Sequence, residues 1–456
     1  MKKILSLILV ASLLSGCAPA AAPPVATDAD PVIAEVIAEA AYPEMAPYPD
    51  ESEFVDPVTG IFDDAGFSQV YDAWRGNRDL RQDIPQGYAD NLRSWFQESI
   101  PVFLASSNGN AACSPANIYI ALAVAAECTA GDSRQEILDR MGADSMESLR
   151  TQAQQVWKAH YCDDGASASI LANSLWLCNG LNYDSETVNR LVEHYYASIF
   201  QGTPGSEEMN QALRDWINRQ TNGLLEEQAA NLELDPQMVL ALASTIYYRA
   251  KWSNEFRAEN NTEEPFHSPA GDRTATYMNR TLSYGPYYWG ADFGAVSLGL
   301  EDGSQMWLIL PDEGTTPADI LASGHALDLA LGGWLETENQ KSLRVNLSLP
   351  KFDVAADIHL NEPLQELGIR SIFSAETADF TPILPDTPAW LDSAKHAARV
   401  KIDEEGVEAA AYTVMMMAGA AMPPEDEMDF VLDRPFLFVI TSRDNLPLFA
   451  GIVNEP

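Results

Sequence analysis

Positive charge is scarce in this chain: lysine and arginine number 27 against 67 aspartates and glutamates, for a formal net charge of −40 over 456 residues. A surface of that sign repels phosphate and excludes nucleic acid as a partner. No lysine or arginine occurs between Lys3 and Arg75. Histidine is equally thin. His160, His194, His267, His325, His359 and His396 form no i, i+4 pair and no H-E-x-x-H, so a zinc hydrolase lacks its ligand pattern. A G-x-S-x-G elbow and a glycine-rich phosphate loop are also missing, which removes the usual marks of a serine hydrolase and of a nucleotide-binding enzyme. Gly131-Asp-Ser133 shares three letters with a lipase motif, but a serine at a helix N-cap explains them better. Beyond Cys17 the cysteines are Cys113, Cys128, Cys162 and Cys178, an even set that a domain of this size does not need as staples. Cys113 reads as a buried thiol, and nothing calls for a metal or other cofactor.

What is present bounds the organisation. With 46% hydrophobic residues the chain can bury one large core or two smaller ones. Residues 1–16 combine a two-lysine start with an apolar run from Ile4 to Leu14, a secretory signal too short to persist as a spanning helix. Leu14-Ser-Gly-Cys17 resembles the bacterial lipobox, which implies cleavage before Cys17 and a diacylglycerol on its thiol; a chance cysteine is the alternative. The expectation is a cell-envelope protein, anchored by lipid to a bacterial membrane and facing the periplasm or exterior. Residues 17–50, rich in Ala and Pro with acids interspersed, should form an extended, solvated tether, a short helix near Val32–Ala41 being the other option. Residues 51–86 bring Phe54, Phe62, Phe67, Tyr71 and Trp74, an extension expected to pack in part on the domain.

Residues 87–456 read as one domain with helices early and strands late. That order, without βαβ alternation or repeats, predicts an α+β class. Leu92, Trp95, Phe96 and Ser99 share a helical face that should end where Pro101 interrupts. Ala121-Leu-Ala-Val-Ala-Ala126 is a small-residue helix suited to a deep core, and Leu213–Gly223 a helix closed by glycine. Ile170–Leu177 and Met238–Trp252 read as buried strands.

The most unusual stretch runs from Asp403 to Pro424. It begins acidic, supplies Gly406, stays small and apolar through Met422, and stops at Pro423-Pro424. Read with a period of two, one parity carries Val407, Ala409, Ala411, Thr413, Met415 and Met417; the other carries Glu408, Ala410, Tyr412, Val414 and Met416. The first set has no charge and no ring and could face a core as a central strand. Pattern alone also admits an amphipathic helix or an Ala/Met-rich loop. Gly406 offers a pivot because glycine changes φ/ψ without a Cβ penalty.

Glu404-Glu-Gly-Val-Glu-Ala-Ala-Ala411 resembles the hinge of the serpins, and Asp433-Arg-Pro-Phe436 through Ile440 with Leu448–Val453 resembles that family's closing strands. Asn110-Ala-Ala-Cys-Ser114-Pro-Ala-Asn117-Ile118 is similar to the entry of its central helix. The resemblance spans residues 87–456. It implies an α+β serpin fold, helices packed around a large central sheet with smaller sheets and an exposed reactive-centre loop. It further implies a protease inhibitor rather than an enzyme. The target protease attacks the loop as substrate, and the cleaved loop enters the central sheet before the acyl-enzyme is hydrolysed.

Counting the family's seventeen residues from Glu404 sets the scissile bond at Ala420–Ala421, flanked by Met417, Ala418, Gly419 and Met422. Small residues there suit an elastase-like or subtilisin-like serine protease, with a papain-like cysteine protease as runner-up. A trypsin-like target would want a lysine or arginine that the loop lacks. The hinge is Glu404, Glu405, Gly406, Val407, Glu408, Ala409, Ala410 and Ala411. Ser114, Asn117, Ser244, Trp252 and His396 match the positions where the family's sheet opens, although Ser244 stands where Asn is usual and Asn117 where Ser is common. The expected partners are the protease and, through the N-terminal lipid, a membrane; the protein should be a monomer. A non-inhibitory serpin-fold binding protein is the alternative.

Overall fold

The computed structural model describes residues 34–77, 84–105, 109–335, 337–407 and 426–456. Among them the chain opens with strand β1 (Glu35–Ala38), helices α1 (Asp64–Asn77) and α2 (Arg93–Leu104), and strand β2 (Ala111–Cys113). Next come α3 (Pro115–Glu127), α4 (Gly131–Met141), α5 (Met146–His160), β3 (Cys162–Asp163), β4 (Ala168–Cys178) and α6 (Ser185–Tyr195). They are followed by β5 (Ala197–Gly202), α7 (Glu207–Gln220), α8 (Glu226–Ala229) and β6 (Leu240–Lys251). The second half is mostly strand: β7 (Thr262–Ser268), β8 (Gly271–Trp289), β9 (Phe293–Gly299), β10 (Gln305–Pro311), then helices α9 (Pro317–Ser323) and α10 (His325–Ala330). After β11 (Gln340–Pro350), β12 (Asp353–His359) and α11 (Asn361–Glu366) come β13 (Leu391–Lys401), β14 (Gly406–Val407), β15 (Glu427–Val431), β16 (Phe436–Thr441) and β17 (Pro447–Val453).

Two sheets organise these elements. The first runs β1-β5-β4-β6-β13-β12, with β3 beside β4 and β14 beside β6; the second runs β15-β11-β8-β9-β10-β16-β17-β2, with β7 beside β8. Helix α3 is buried along its whole length, and its alanines let it approach β6 and β17 closely in one continuous core. On the other face of the first sheet, Leu213, Trp216 and Ile217 of α7 cover Trp176, Ala241 and Ala397 in a second, smaller core. Near the base of α3, buried Glu127 accepts from Arg150 (2.9 and 3.0 Å), Arg190 (2.8 Å) and Tyr195 (3.0 Å), so a carboxylate costly to bury alone ties α3, α5 and α6 together.

Several expectations need correction. The solvated tether does not extend to residue 50: Glu35–Ala38 adds to the edge of the first sheet against β5, and Tyr42 packs its ring on Trp157, Tyr161 and Tyr196. The helix option for Val32–Ala41 falls with it, because an open sheet edge offers this segment hydrogen bonds that an isolated short helix could not match. Pro101 does not end α2, which continues to Leu104; burial of Ile100, Phe103 and Leu104 offsets the missing N–H bond. Ser133 is no N-cap: Ala130 holds that position, and Ser133 Oγ accepts from Asp379 N at 3.1 Å. The extension packs on the segment before it, Trp74 donating from Nε1 to Ala46 O (3.0 Å) and meeting Tyr48 edge-on and Tyr71 at a tilt.

Candidate functional site

The site is a seam in the first sheet. Strands β6 and β13 run parallel and pair from Leu240↔Leu391 up to Thr245↔Ala397, where the ladder between them stops. Their outer edges stay paired, β6 to β4 as far as Arg249 and β13 to β12 as far as Lys401. Among the described residues, the only backbone that bridges the two strands above Thr245 is Gly406–Val407. It pairs antiparallel with Lys251 and Ala250 of β6, and Val407 makes a bridge to Ile402 just past β13. A two-residue strand thus stands where a full middle strand would begin.

The hinge residues are held by specific bonds. Trp252 donates from its indole Nε1 to Asp403 O and from its backbone to Glu405 O, both at 2.9 Å. Phe256 N donates to Glu404 O at 2.9 Å, and the Glu404 carboxylate is engaged by Lys351 Nζ at 2.6 Å and by Asn261 Nδ2. Burial pushes the Glu404 carboxyl up, but those two side chains outweigh it and hold the group below the ordinary glutamate value. Asp403 Oδ1 accepts from the N–H groups of Glu405 and Gly406, closing a tight turn ahead of the seated pair. Val407 is buried, 2% exposed.

Gly406 is required here for a reason other than conformational freedom. Its φ is not positive; instead, a Cβ would lie 2.3 Å from Ala250 O and 2.7 Å from Lys251 Cα. Close approach of two backbones excludes every side chain at this position.

At the top of the closed part of the seam lies a buried polar cluster. His396 Nε2 accepts from Ser114 N (2.9 Å), which leaves the proton on Nδ1, 3.3 Å from Ser244 Oγ. Asn117 Nδ2 donates to Ser244 Oγ (2.8 Å) and Thr245 O (2.6 Å), and its Oδ1 accepts from Asn173 Nδ2 (3.0 Å). Fully buried, the imidazole has its pKa pushed down to about 3 and is neutral. Ser114, Asn117, Ser244 and His396 are therefore brought together. Asn117 and Ser244 carry an amide and a hydroxyl on the sides opposite to those the family pattern suggests, and the exchange preserves the bond between them. Asn173, which sequence reading missed, joins the cluster opposite Ser244; a polar amide inside the apolar run Ile170–Leu177 was the available signal. The one Ser-x-x-Lys spacing, Ser348 to Lys351, forms no nucleophile pair, since Ser348 Oγ donates to Asn279 Oδ1 and Lys351 is taken by Glu404.

Glu408, Ala409, Ala410, Ala411, Met417, Ala418, Gly419, Ala420, Ala421 and Met422 lie outside the described residues, as does Cys17. A family model described as Serpin (serine protease inhibitor) matches residues 102–456. The chain belongs to the serpin family. An uncharacterized serpin-like protein of Thermococcus kodakarensis is 28% identical to it over 363 residues, covering 77% of this chain and 82% of the relative. Leukocyte elastase inhibitor of Sus scrofa is also 28% identical, over 76% of this chain and 93% of its own. The native-state crystal structure of tengpin, a thermophilic serpin, superposes with a TM-score of 0.73 at 22% identity, over 82% of this serpin and 96% of tengpin. That last likeness concerns the fold, and it agrees with the α+β serpin architecture expected from sequence.

Proposed function

We propose that this serpin is an inhibitor that traps a target protease as an acyl-enzyme by drawing its cleaved loop into the seam between β6 and β13. The observation that carries the reading is the seated Gly406–Val407 pair, a middle strand already begun and left unfinished. Its register extends simply: each step along the loop moves one residue back along β6. Antiparallel partners share a face of the sheet. Val407, Ala409, Ala411, Met415 and Met417 would then oppose Ala250, Tyr248, Ile246, Leu242 and Leu240, all members of the main core.

Thr413, the one polar residue of that parity, would come opposite Ser244. Counted from the Ile402–Val407 bridge it would also come opposite His396. Both counts start from Val407 and agree with the Ser244↔His396 pairing, so a hydroxyl would come to the level where opening the seam separates Ser244 from His396. Glu408 would oppose Arg249, whose Nε has no hydrogen-bond partner among the described residues. Tyr412 would fall on the α7 side, opposite Thr245.

The thirteen residues from Glu408 to Ala420 would carry a tethered protease about 43 Å as extended strand. Small residues around Ala420–Ala421 support an elastase-like or subtilisin-like serine protease as target, in line with the relatives named leukocyte elastase inhibitor. No charge or proline occurs on the inward parity, which favours insertion over a purely binding role. The test is a panel of proteases run on denaturing gels, with mass spectrometry of the released C-terminal peptide. A covalent complex with an elastase-like enzyme and cleavage between Ala420 and Ala421 is expected; cleavage with no complex would reduce the protein to a substrate or binder.

We also infer that the mature protein is a monomer anchored to a bacterial membrane by lipid on Cys17, supported by the signal-like residues 1–16 and the Leu-Ser-Gly-Cys match. Cys17→Ala should release it from the membrane fraction. Retention there would remove the anchor.

A further inference from the structure

Beside the hinge, the outer surface of the second sheet carries a groove of about 750 Å³ between the segment before β7 and strands β8 and β11. At one end stands Arg280, its guanidinium 4.9 Å from the centroid of the Phe256 ring and its Nη1 donating to Asn254 O. In a chain whose acids outnumber its basic residues 67 to 27, this arginine makes no salt bridge with any described carboxylate. Burial lowers its pKa, to about 10.

The amides and hydroxyls of the lining are already fixed to one another. Asn279 Nδ2 donates to Asn260 O (2.9 Å) and Thr262 Oγ1 (3.0 Å), Ser348 donates to Asn279 Oδ1 (2.6 Å), and Thr281 donates to Asn346 Oδ1 (3.0 Å). Glu264 and Asp433 also line the groove. Asp433 accepts from Arg434 at 2.9 Å, and neither carboxylate pairs with Arg280. A half-buried guanidinium with no salt-bridge partner among the described residues, lining a groove large enough for a small molecule, is the arrangement that carboxylates and phosphates recognise through paired N–H donors.

We propose that the Arg280 end of this groove binds the oxyanion of a small molecule, a phosphate or carboxylate group, and that its occupancy is felt at the hinge. The connection is contiguous. The Phe256 ring that stacks on Arg280 also packs edge-on against Trp252 at 6.0 Å, Phe256 N holds Glu404 O, and the Trp252 indole holds Asp403 O. An anion that steadies Arg280 over Phe256 steadies both anchors of the seated pair.

The test needs no protease and is independent of whether the chain inhibits one. The intact protein is titrated with inorganic phosphate and, separately, with citrate, against sodium chloride at matched ionic strength, and followed by thermal melting and tryptophan fluorescence. A saturable rise in Tm of about 2–4 °C and a fluorescence change are expected for at least one probe. Phosphate acting alone identifies a phosphate site, and citrate alone a carboxylate site. Arg280→Gln should abolish both effects. Should that variant not fold, Ser348→Asp, which sets a carboxylate in the groove, should reduce the response at least tenfold in affinity. Equal responses to chloride and the probes, or an unchanged response in the variants that fold, would overturn the proposal.

Discussion

His396 shows how one residue sets a condition on the whole seam. Its imidazole is neutral because burial leaves no room for a charge, with Ser114 N–H at one nitrogen and Ser244 Oγ at the other. The folded pKa of about 3 lies below the ordinary 6.5, so the unfolded chain takes up a proton first as pH falls. Stability from this group is complete above pH 6.5 and is lost between there and about pH 3, at up to about 1.4 kcal/mol for each pH unit. The Glu404 carboxylate, held below its ordinary value, works in the same direction but only at lower pH, within and beneath the usual carboxylate range. Urea unfolding at pH 7 and pH 5 should show a pH-dependent loss in the parent that is much reduced in His396→Gln. An identical pH dependence in both proteins would place the proton uptake elsewhere. His396 was legible from its matching sequence position, whereas the steric demand at Gly406 was not. Sequence suggests a glycine for its freedom; only the approach of Ala250 O shows that the Cβ is what must be absent.

At the scale of elements, the informative unit is β14. The pattern of its stretch left a strand, an amphipathic helix and an Ala/Met-rich loop open, and of that stretch the structure describes Gly406–Val407 as strand. Its pairing with β6 beside the end of β13 was not readable, since strand partners far apart in sequence leave no local mark. The same limit explains β1: Glu35–Ala38 has no pattern of its own, and it becomes a strand because β5, some 160 residues later, presents an open edge. Pro101 misled in the opposite sense, local chemistry yielding to the burial of Phe103 and Leu104. Val407→Arg tests the element directly. A guanidinium cannot be seated at a position 2% exposed without a partner. The variant should be cut at the same bond at a similar rate while covalent complex falls at least tenfold on a denaturing gel. Undiminished complex would mean that β14 does not begin the inserted strand.

For the molecule as a whole, the structure describes a sheet that is closed below Thr245 and Ala397 and open above them, with its first filling residues in place. On the inhibitory reading proposed above, such a state would be held by a barrier rather than by depth: six registered pairs from Leu240↔Leu391 to Thr245↔Ala397 would have to part before a longer strand could form on both sides. Cutting the loop would free one end to enter the seam and replace those pairs with new ones on both sides. About ten added ladder bonds at roughly 1 kcal/mol each, together with burial of the inward residues, should then leave the nicked chain far more stable than the intact one. Thermal melting of the purified protein before and after a single cut within residues 408–425 measures this difference directly. A rise in Tm of about 20 °C or more is the expected result, and a nicked chain that melts at or below the temperature of the intact one would contradict the account.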